Sequence, residues 1–203
     1  MLSDNIAALF SGCGIVVAKQ DTRIVTFPKN NHDHARCIEV ALDKAAAVCM
    51  DRGVRLTELR RRVLEIIWQN HKPLGAYSIL EQLRQDGRAA APPTVYRALE
   101  FLLEQGLVHR LASMNAFVGC SRPGHISDGQ FLICRSCGSS AELNDGKLEK
   151  VITRNSGSLG FTVEHLTIEV SGLCPHCRRA RGEAAEHSNC SLSVAGNSDS
   201  ELK

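Results

Sequence analysis

Two cysteine pairs carry the most specific chemistry in this chain: Cys134-Arg135-Ser136-Cys137 and Cys174-Pro175-His176-Cys177. Each is a Cys-x-x-Cys knuckle. Four thiolates at this spacing close a tetrahedral Zn²⁺ site with no open position, which is the form of a structural zinc. Gly138 after the first pair and Pro175 inside the second supply the tight turns that such knuckles need. The loop between the pairs is far longer than the roughly 15–20 residues of a compact finger. It must hold a small domain, whose two ends the metal ties together.

The elements that position this site are predicted from periodicity. Gln130 to Ile133 reads as a strand entering the first knuckle, and Ala141 to Leu143 as one leaving it. A helix is expected over Gly146 to Leu159 with Leu148, Val151 and Ile152 inward. Phe161 to Val170 reads as a long strand leading to the second knuckle. Upstream, Ile38, Leu42, Ala45 and Cys49 recur at helical spacing, and Gly53 ends the run. Thr57 caps a second helix, whose apolar stripe is Leu59, Val63, Ile66 and Ile67. Arg52, Arg55, Arg60, Arg61 and Arg62 cluster around its start. A third helix carries Ile79, Leu80 and Leu83. A fourth starts at Pro92-Pro93, buries Val95, Leu99, Leu102 and Leu103, and stops at Gly106. Leu107 to Leu111 and Ala116 to Cys120 then read as a hairpin. Helices followed by a two-stranded hairpin form the pattern of a winged helix-turn-helix, which lays one helix in the major groove of DNA. On that helix Tyr96 and Arg97 are free of the core stripe, and Tyr77 opens the helix before it. Arg can pair with a guanine edge, and Tyr can touch base or phosphate.

The fold class expected is therefore α+β: an N-terminal winged-helix domain followed by a small mixed α/β domain with a four-Cys zinc site. The boundaries read as an extension over 1–34, flexible in expectation, the winged-helix domain over 35–120 and a hinge at 121–124. The second domain covers 125–180, and 181–203 is a polar tail expected to be disordered. With 203 residues, a net charge of +2 and 43% hydrophobic content, the chain can bury cores and carries no global basic field. Nine cysteines without a convincing export signal point to a reducing cytoplasm, where such clusters mean metal or redox chemistry rather than disulfides. No segment is long and apolar enough to span a bilayer.

The segment Pro92 to Gly106 (PPTVYRALEFLLEQG), the hairpin after it and both knuckles together resemble the ferric uptake regulator family, in particular its zinc-sensing branch. The resemblance covers about residues 36–178. It implies a dimeric winged-helix repressor whose second domain dimerises. Double-stranded DNA would be contacted by Tyr77, Thr94, Tyr96 and Arg97, and two Zn²⁺ are expected per subunit. Cys134, Cys137, Cys174 and Cys177 would hold the structural ion. The resemblance places a sensory site at His109, Cys120, His125 and Glu142, which would bridge the two domains across the hinge. Two imidazoles, a thiolate and a carboxylate make a set suited to zinc.

One departure bears on the metal. Iron-sensing relatives carry a histidine-rich stretch before the first knuckle, and Ser127 to Ile133 contains none. His165, with Asp128, is a candidate auxiliary site; His32, His34, His71 and His176 receive no role. The function expected is a zinc-responsive repressor of zinc uptake genes. A sister regulator of iron, manganese or peroxide is the alternative. A zinc enzyme or a zinc-stabilised interaction module are the readings from other classes. An enzyme is disfavoured, since no nucleophile or acid–base pair stands outside these ligands.

Overall fold

The computed structural model describes residues 22–24, 27, 34–70, 72–123 and 129–182. Four helices form the first half: α1 (His34–Asp51), α2 (Glu58–Gln69), α3 (Ala76–Gln85) and α4 (Pro92–Glu104). Their boundaries follow from local chemistry. The Thr57 Oγ accepts the Arg60 N–H at 3.5 Å and caps α2. Two prolines occupy the first turn of α4, where their missing N–H groups cost nothing. Gly53, with φ of +65°, lets the chain reverse after α1. The apolar stripes of all four helices meet in one core, in which Val63, Ile66, Ile79, Leu83 and Leu102 are fully buried. Burying a side chain of this size contributes about 1.5–3 kcal/mol.

The arginines around α2 largely serve this packing. Arg60 lies over the Phe101 ring at 3.5 Å. Arg62 makes a two-pronged pair with Asp86 at 2.6 and 2.9 Å and a further pair with Glu65. Arg52 donates to the Gln105 carbonyl. A basic cluster in sequence is thus mostly a set of interhelix ties in space.

The hairpin consists of β2 (Val108–Leu111) and β3 (Ala116–Gly119), joined by a 3₁₀ turn over Ala112–Met114 and a left-handed Asn115. Leu74 extends it by exchanging two backbone hydrogen bonds with Phe117.

The second half is a four-stranded sheet in the order β1-β5-β4-β6. Its strands are β1 (Thr22–Ile24), β4 (Gln130–Cys134), β5 (Ser140–Asp145) and β6 (Ile168–Gly172), with α5 (Gly146–Ser158) following β5 and a short α6 (Pro175–Ala180) closing the chain's described part. β4 pairs antiparallel with β5 and parallel with β6.

Three expectations change here. Residues 1–34 are not wholly an unstructured extension, because Thr22–Ile24 adds an edge strand to β5. The long strand expected over 161–170 is β6 alone, at Ile168–Gly172, since β4 offers a pairing edge only from Gln130 to Cys134. Val151 is 43% exposed and α5 has no fully buried residue, because among the described residues its apolar face is only partly covered, with Leu148 and Ile152 half-buried. Among the described residues no helix is long and apolar enough to cross a membrane.

Candidate metal centres and nucleic-acid interface

The parallel pairing of β4 with β6 brings the two knuckles together. Parallel neighbours end on the same side of a sheet, and the register sets Cys134 opposite Gly172, two residues before Cys174. The Arg135 N–H donates to the Gly172 carbonyl at 2.9 Å and fastens the first knuckle to the end of β6. All four Sγ atoms then lie within 4.8 Å of one another. Cys137 Sγ and Cys174 Sγ are 3.8 Å apart. A zinc–sulfur distance of about 2.3 Å requires tetrahedral edges of about 3.8 Å. Backbone N–H groups point at the sulfurs, from Cys174 to Cys134 Sγ at 3.3 Å and from Cys177 to Cys174 Sγ at 3.4 Å.

Without a cation this cluster is electrostatically divided. At Cys134, burial opposes ionisation but the N–H groups of Cys174, Cys137 and Ser136 outweigh it and hold the thiol down at about 6. At Cys177, the Ser136 hydroxyl favours the thiolate, yet burial and the three neighbouring sulfurs push the thiol up to about 12. A divalent cation removes this conflict, so the donor set fits a closed zinc site.

The second cluster sits where the hairpin meets the sheet. His109 is in β2, Cys120 follows β3, and Glu142 is in β5; their ligand atoms also lie within 4.8 Å of one another. The His109 and Glu142 side chains are 11% and 10% exposed, and Cys120 is 4% exposed. His109 Nε2 is buried with no hydrogen-bond partner and stands 3.8 Å from Glu142 Oε1. An orphaned imidazole nitrogen facing a thiol and a carboxylate is costly unless an electrophile fills the gap. Burial lowers the His109 pKa, partly offset by Glu142, so the ring is neutral and able to act as a ligand. Burial first, then the Glu142 charge, pushes the Cys120 thiol up to about 12. These three residues therefore fit a divalent metal with a mixed S/N/O set. His125 lies outside the described residues, as do Asp128, His32, His71, His187 and Cys190. His165 is exposed and in irregular chain rather than on a strand, and His176 is exposed.

Three supporting residues escaped the sequence reading. Ser121 donates to Glu142 Oε2 from its backbone N–H at 3.1 Å and from its hydroxyl at 2.6 Å. The Phe131 ring meets the His109 imidazole edge-on, with centroids 5.2 Å apart. Gly119, just before Cys120, lies against the Trp68 indole so closely that a β-carbon there would fall 2.5 Å from Nε1. Only the adjacency of Ser121 and Gly119 to Cys120 could have signalled them. A further tie crosses the same joint: Glu169 in β6 accepts the backbone N–H groups of Ala112 and Ser113 at the hairpin turn, at 2.6 and 3.1 Å.

A group of side chains on α3 and α4 is exposed. Tyr77 is 72% and Tyr96 43% exposed, and Thr94 and Arg97 are exposed as well. Arg97 has no hydrogen-bond or ion-pair partner among the described residues, in contrast to Arg60 and Arg62. Val95 and Leu99, buried at 1%, fix α4 so that Thr94, Tyr96 and Arg97 face outward.

Residues 51–171 match the model of the ferric uptake regulator family, a span that runs from α2 to all but the last residue of β6 and includes His109, Cys120 and Glu142. The chain belongs to the ferric uptake regulator family. The zinc uptake regulation protein of Escherichia coli (strain K12) is 39% identical over 149 residues, covering 72% of this chain and 85% of that protein. A zinc uptake regulator solved in complex with zinc and DNA superposes with a TM-score of 0.67 at 36% identity, covering 71% of this chain and 97% of that one. The holo crystal structure of XcZur superposes with a TM-score of 0.64 at 42% identity, over 68% of this chain and 96% of that one. The fold class is accordingly that of the family, a winged-helix half followed by a mixed α/β half that carries the four cysteines.

Proposed function

We propose that this protein is a zinc-responsive, homodimeric transcriptional repressor that binds double-stranded DNA and controls zinc uptake genes. The observation that carries the reading is the cluster of His109, Cys120 and Glu142, because two of its ligands belong to the hairpin and one to the sheet. A ligand held there changes the free energy of one arrangement of the two halves and not of others, which is the requirement for coupling metal to DNA affinity. His125 is assigned as the fourth ligand. A zinc ion bound here would supply positive charge and tetrahedral bonding to these donors, of which the buried His109 Nε2 has no other partner. His109, backed by Phe131, presents Nε2 to the joint. Cys120 delivers its sulfur from the end of β3, and Ser121 holds Glu142 toward both. The knuckles carry the second, permanent zinc, giving two per subunit.

With the joint fastened, Tyr77, Thr94, Tyr96 and Arg97 of each subunit reach DNA together. Two such helices in a dimer must match successive major grooves, roughly 34 Å apart. Homodimerisation is supported by the apolar side chains that the second half leaves in solvent, namely Val151, Leu159, Phe161 and Val170 at 43, 85, 66 and 48% exposure. A relative named for zinc uptake regulation is 39% identical, against 29% for the peroxide operon regulator and ferric uptake regulation proteins, which supports zinc over iron or peroxide as the signal.

The test is zinc-titrated binding of the full chain to a promoter fragment from a zinc uptake operon, with wild type beside Arg97→Ala and Cys120→Ser. Wild type binds only when zinc exceeds the knuckle stoichiometry. Arg97→Ala loses affinity by about 10–100-fold, as loss of one base-reading arginine does. Cys120→Ser keeps its knuckle zinc and loses the zinc response. Binding activated by Fe²⁺ or Mn²⁺ but not by Zn²⁺ would sink the reading.

A further inference from the structure

The two oxygens of Glu142 are treated differently by the fold. Oε2 accepts both the backbone N–H and the hydroxyl of Ser121, at 3.1 and 2.6 Å. Oε1 accepts neither and faces His109 Nε2 at 3.8 Å. The carboxylate is 10% exposed, and its direction is set by this pair of donors. Ser121 follows Cys120 directly. One short turn thus carries the sulfur ligand and also takes up one oxygen of the carboxylate.

We propose that Ser121 is a positioning residue that makes Glu142 a one-oxygen ligand, and that it thereby selects a four-coordinate metal at the hinge cluster. The proposal rests on the reading of that cluster as a metal site. The physical argument is a count of donors. A carboxylate free of other hydrogen bonds can bind a cation through both oxygens and raise its coordination number. Mn²⁺ and Fe²⁺ favour higher-coordinate, oxygen-rich sets, whereas Zn²⁺ has no electronic preference and accepts four donors. Raw affinity follows the intrinsic order of the metals, so a site discriminates by geometry and ligand number. Two donors on Oε2 compete with any metal for that oxygen, and one of them is a backbone N–H that no rotamer change can remove. The Ser121 hydroxyl adds the shorter of the two bonds.

The experiment uses the full chain with zinc kept in the knuckles and the hinge cluster titrated with Co²⁺ as a spectroscopic probe. Wild type should show the intense visible bands of four-coordinate Co²⁺. Ser121→Ala should show weaker, shifted bands of a higher-coordinate ion, and its preference for Zn²⁺ over Mn²⁺ in competition should fall roughly tenfold, the effect of losing one hydrogen bond to a charged group. Ser121→Thr keeps both donors and should restore the wild-type spectrum. If Ser121→Ala does not retain knuckle zinc and a cooperative melt, Ser121→Gly, which also keeps only the backbone donor, takes its place in the same comparison. Loaded wild type and hydroxyl-less variant with identical spectra and identical Zn²⁺/Mn²⁺ ratios would overturn the role of Ser121. A different outcome marks failure of the underlying reading: wild type that takes up no Co²⁺ beyond the knuckles, or uptake that Cys120→Ser leaves unchanged.

Discussion

Zinc binding at the hinge cluster is expected to release a proton, and the structure sets the size of the effect. In the metal-free protein, burial and the Glu142 charge push the Cys120 thiol up to about 12. At pH 7 it is therefore protonated, while a metal-bound cysteine must be a thiolate. An ionisation lying about five pH units above neutrality costs about 7 kcal/mol at pH 7, which the metal–sulfur bond must exceed. His109 contributes no proton at this pH, since its pKa is depressed below 6.5 by burial. The sign follows. As pH rises from about 7 toward the Cys120 value, less free energy goes into removing the proton, and the apparent zinc affinity should rise about tenfold per pH unit. Competition against a chromophoric chelator at pH 7, 8 and 9 measures this slope, and titration in weakly buffered solution counts one proton released per hinge zinc. Cys120→Ser has no ionisable thiol at this position, so residual binding should lose the slope. A wild-type affinity independent of pH over this range, with no proton released, would refute the reasoning.

Removing the crossing tie by Glu169→Ala should weaken DNA binding at saturating zinc by about 5–30-fold, because two charge-assisted bonds to the hairpin turn are lost and solvent screening leaves about 1–2 kcal/mol. Knuckle zinc content should not change, and anisotropy with labelled DNA reads the difference. Gly119→Val should force the Trp68 indole aside at a cost of about 1–3 kcal/mol, seen as a drop in Tm of several degrees and a lower zinc affinity at the hinge. Cys134→Ser should abolish the four-sulfur site and unfold the sheet half, because the ends of β4 and β6 lose their common anchor; circular dichroism and zinc stoichiometry check it. Strong chelation of the wild type should reproduce that loss only after the hinge zinc has gone.

The helical half was largely readable from the chain because its signals are local. The Thr57 cap, the Pro92-Pro93 start and the left-handed glycines at 53, 87 and 106 act within a turn of where they stand. The knuckles were readable for the same reason. What misled the reading depended on partners distant in sequence. Residues 161–167 have strand-like composition, but β4 provides no edge for them. Thr22–Ile24 looks featureless, yet β5 has an open edge that it fills. Val151 has helical spacing with Leu148 and Ile152, but helical spacing does not say whether a second layer exists to cover that face. The arginines around α2 look like a basic patch until Phe101, Asp86 and Gln105 are seen to engage three of them.

By itself the sequence determined the ligand types, the knuckle spacing, the order of helices and hairpin, and the family. The tertiary structure alone decided which ligands converge. Parallel pairing of β4 and β6 places Cys134 beside Cys174, and docking of the hairpin on the sheet sets His109 and Cys120 against Glu142. It also decided that Ser121 holds one oxygen of that carboxylate and leaves the other to face His109. The physical reason is range. Propensity, capping and turn chemistry act over a few residues, whereas burial and the direction of a buried donor depend on groups that only the packed chain brings into contact.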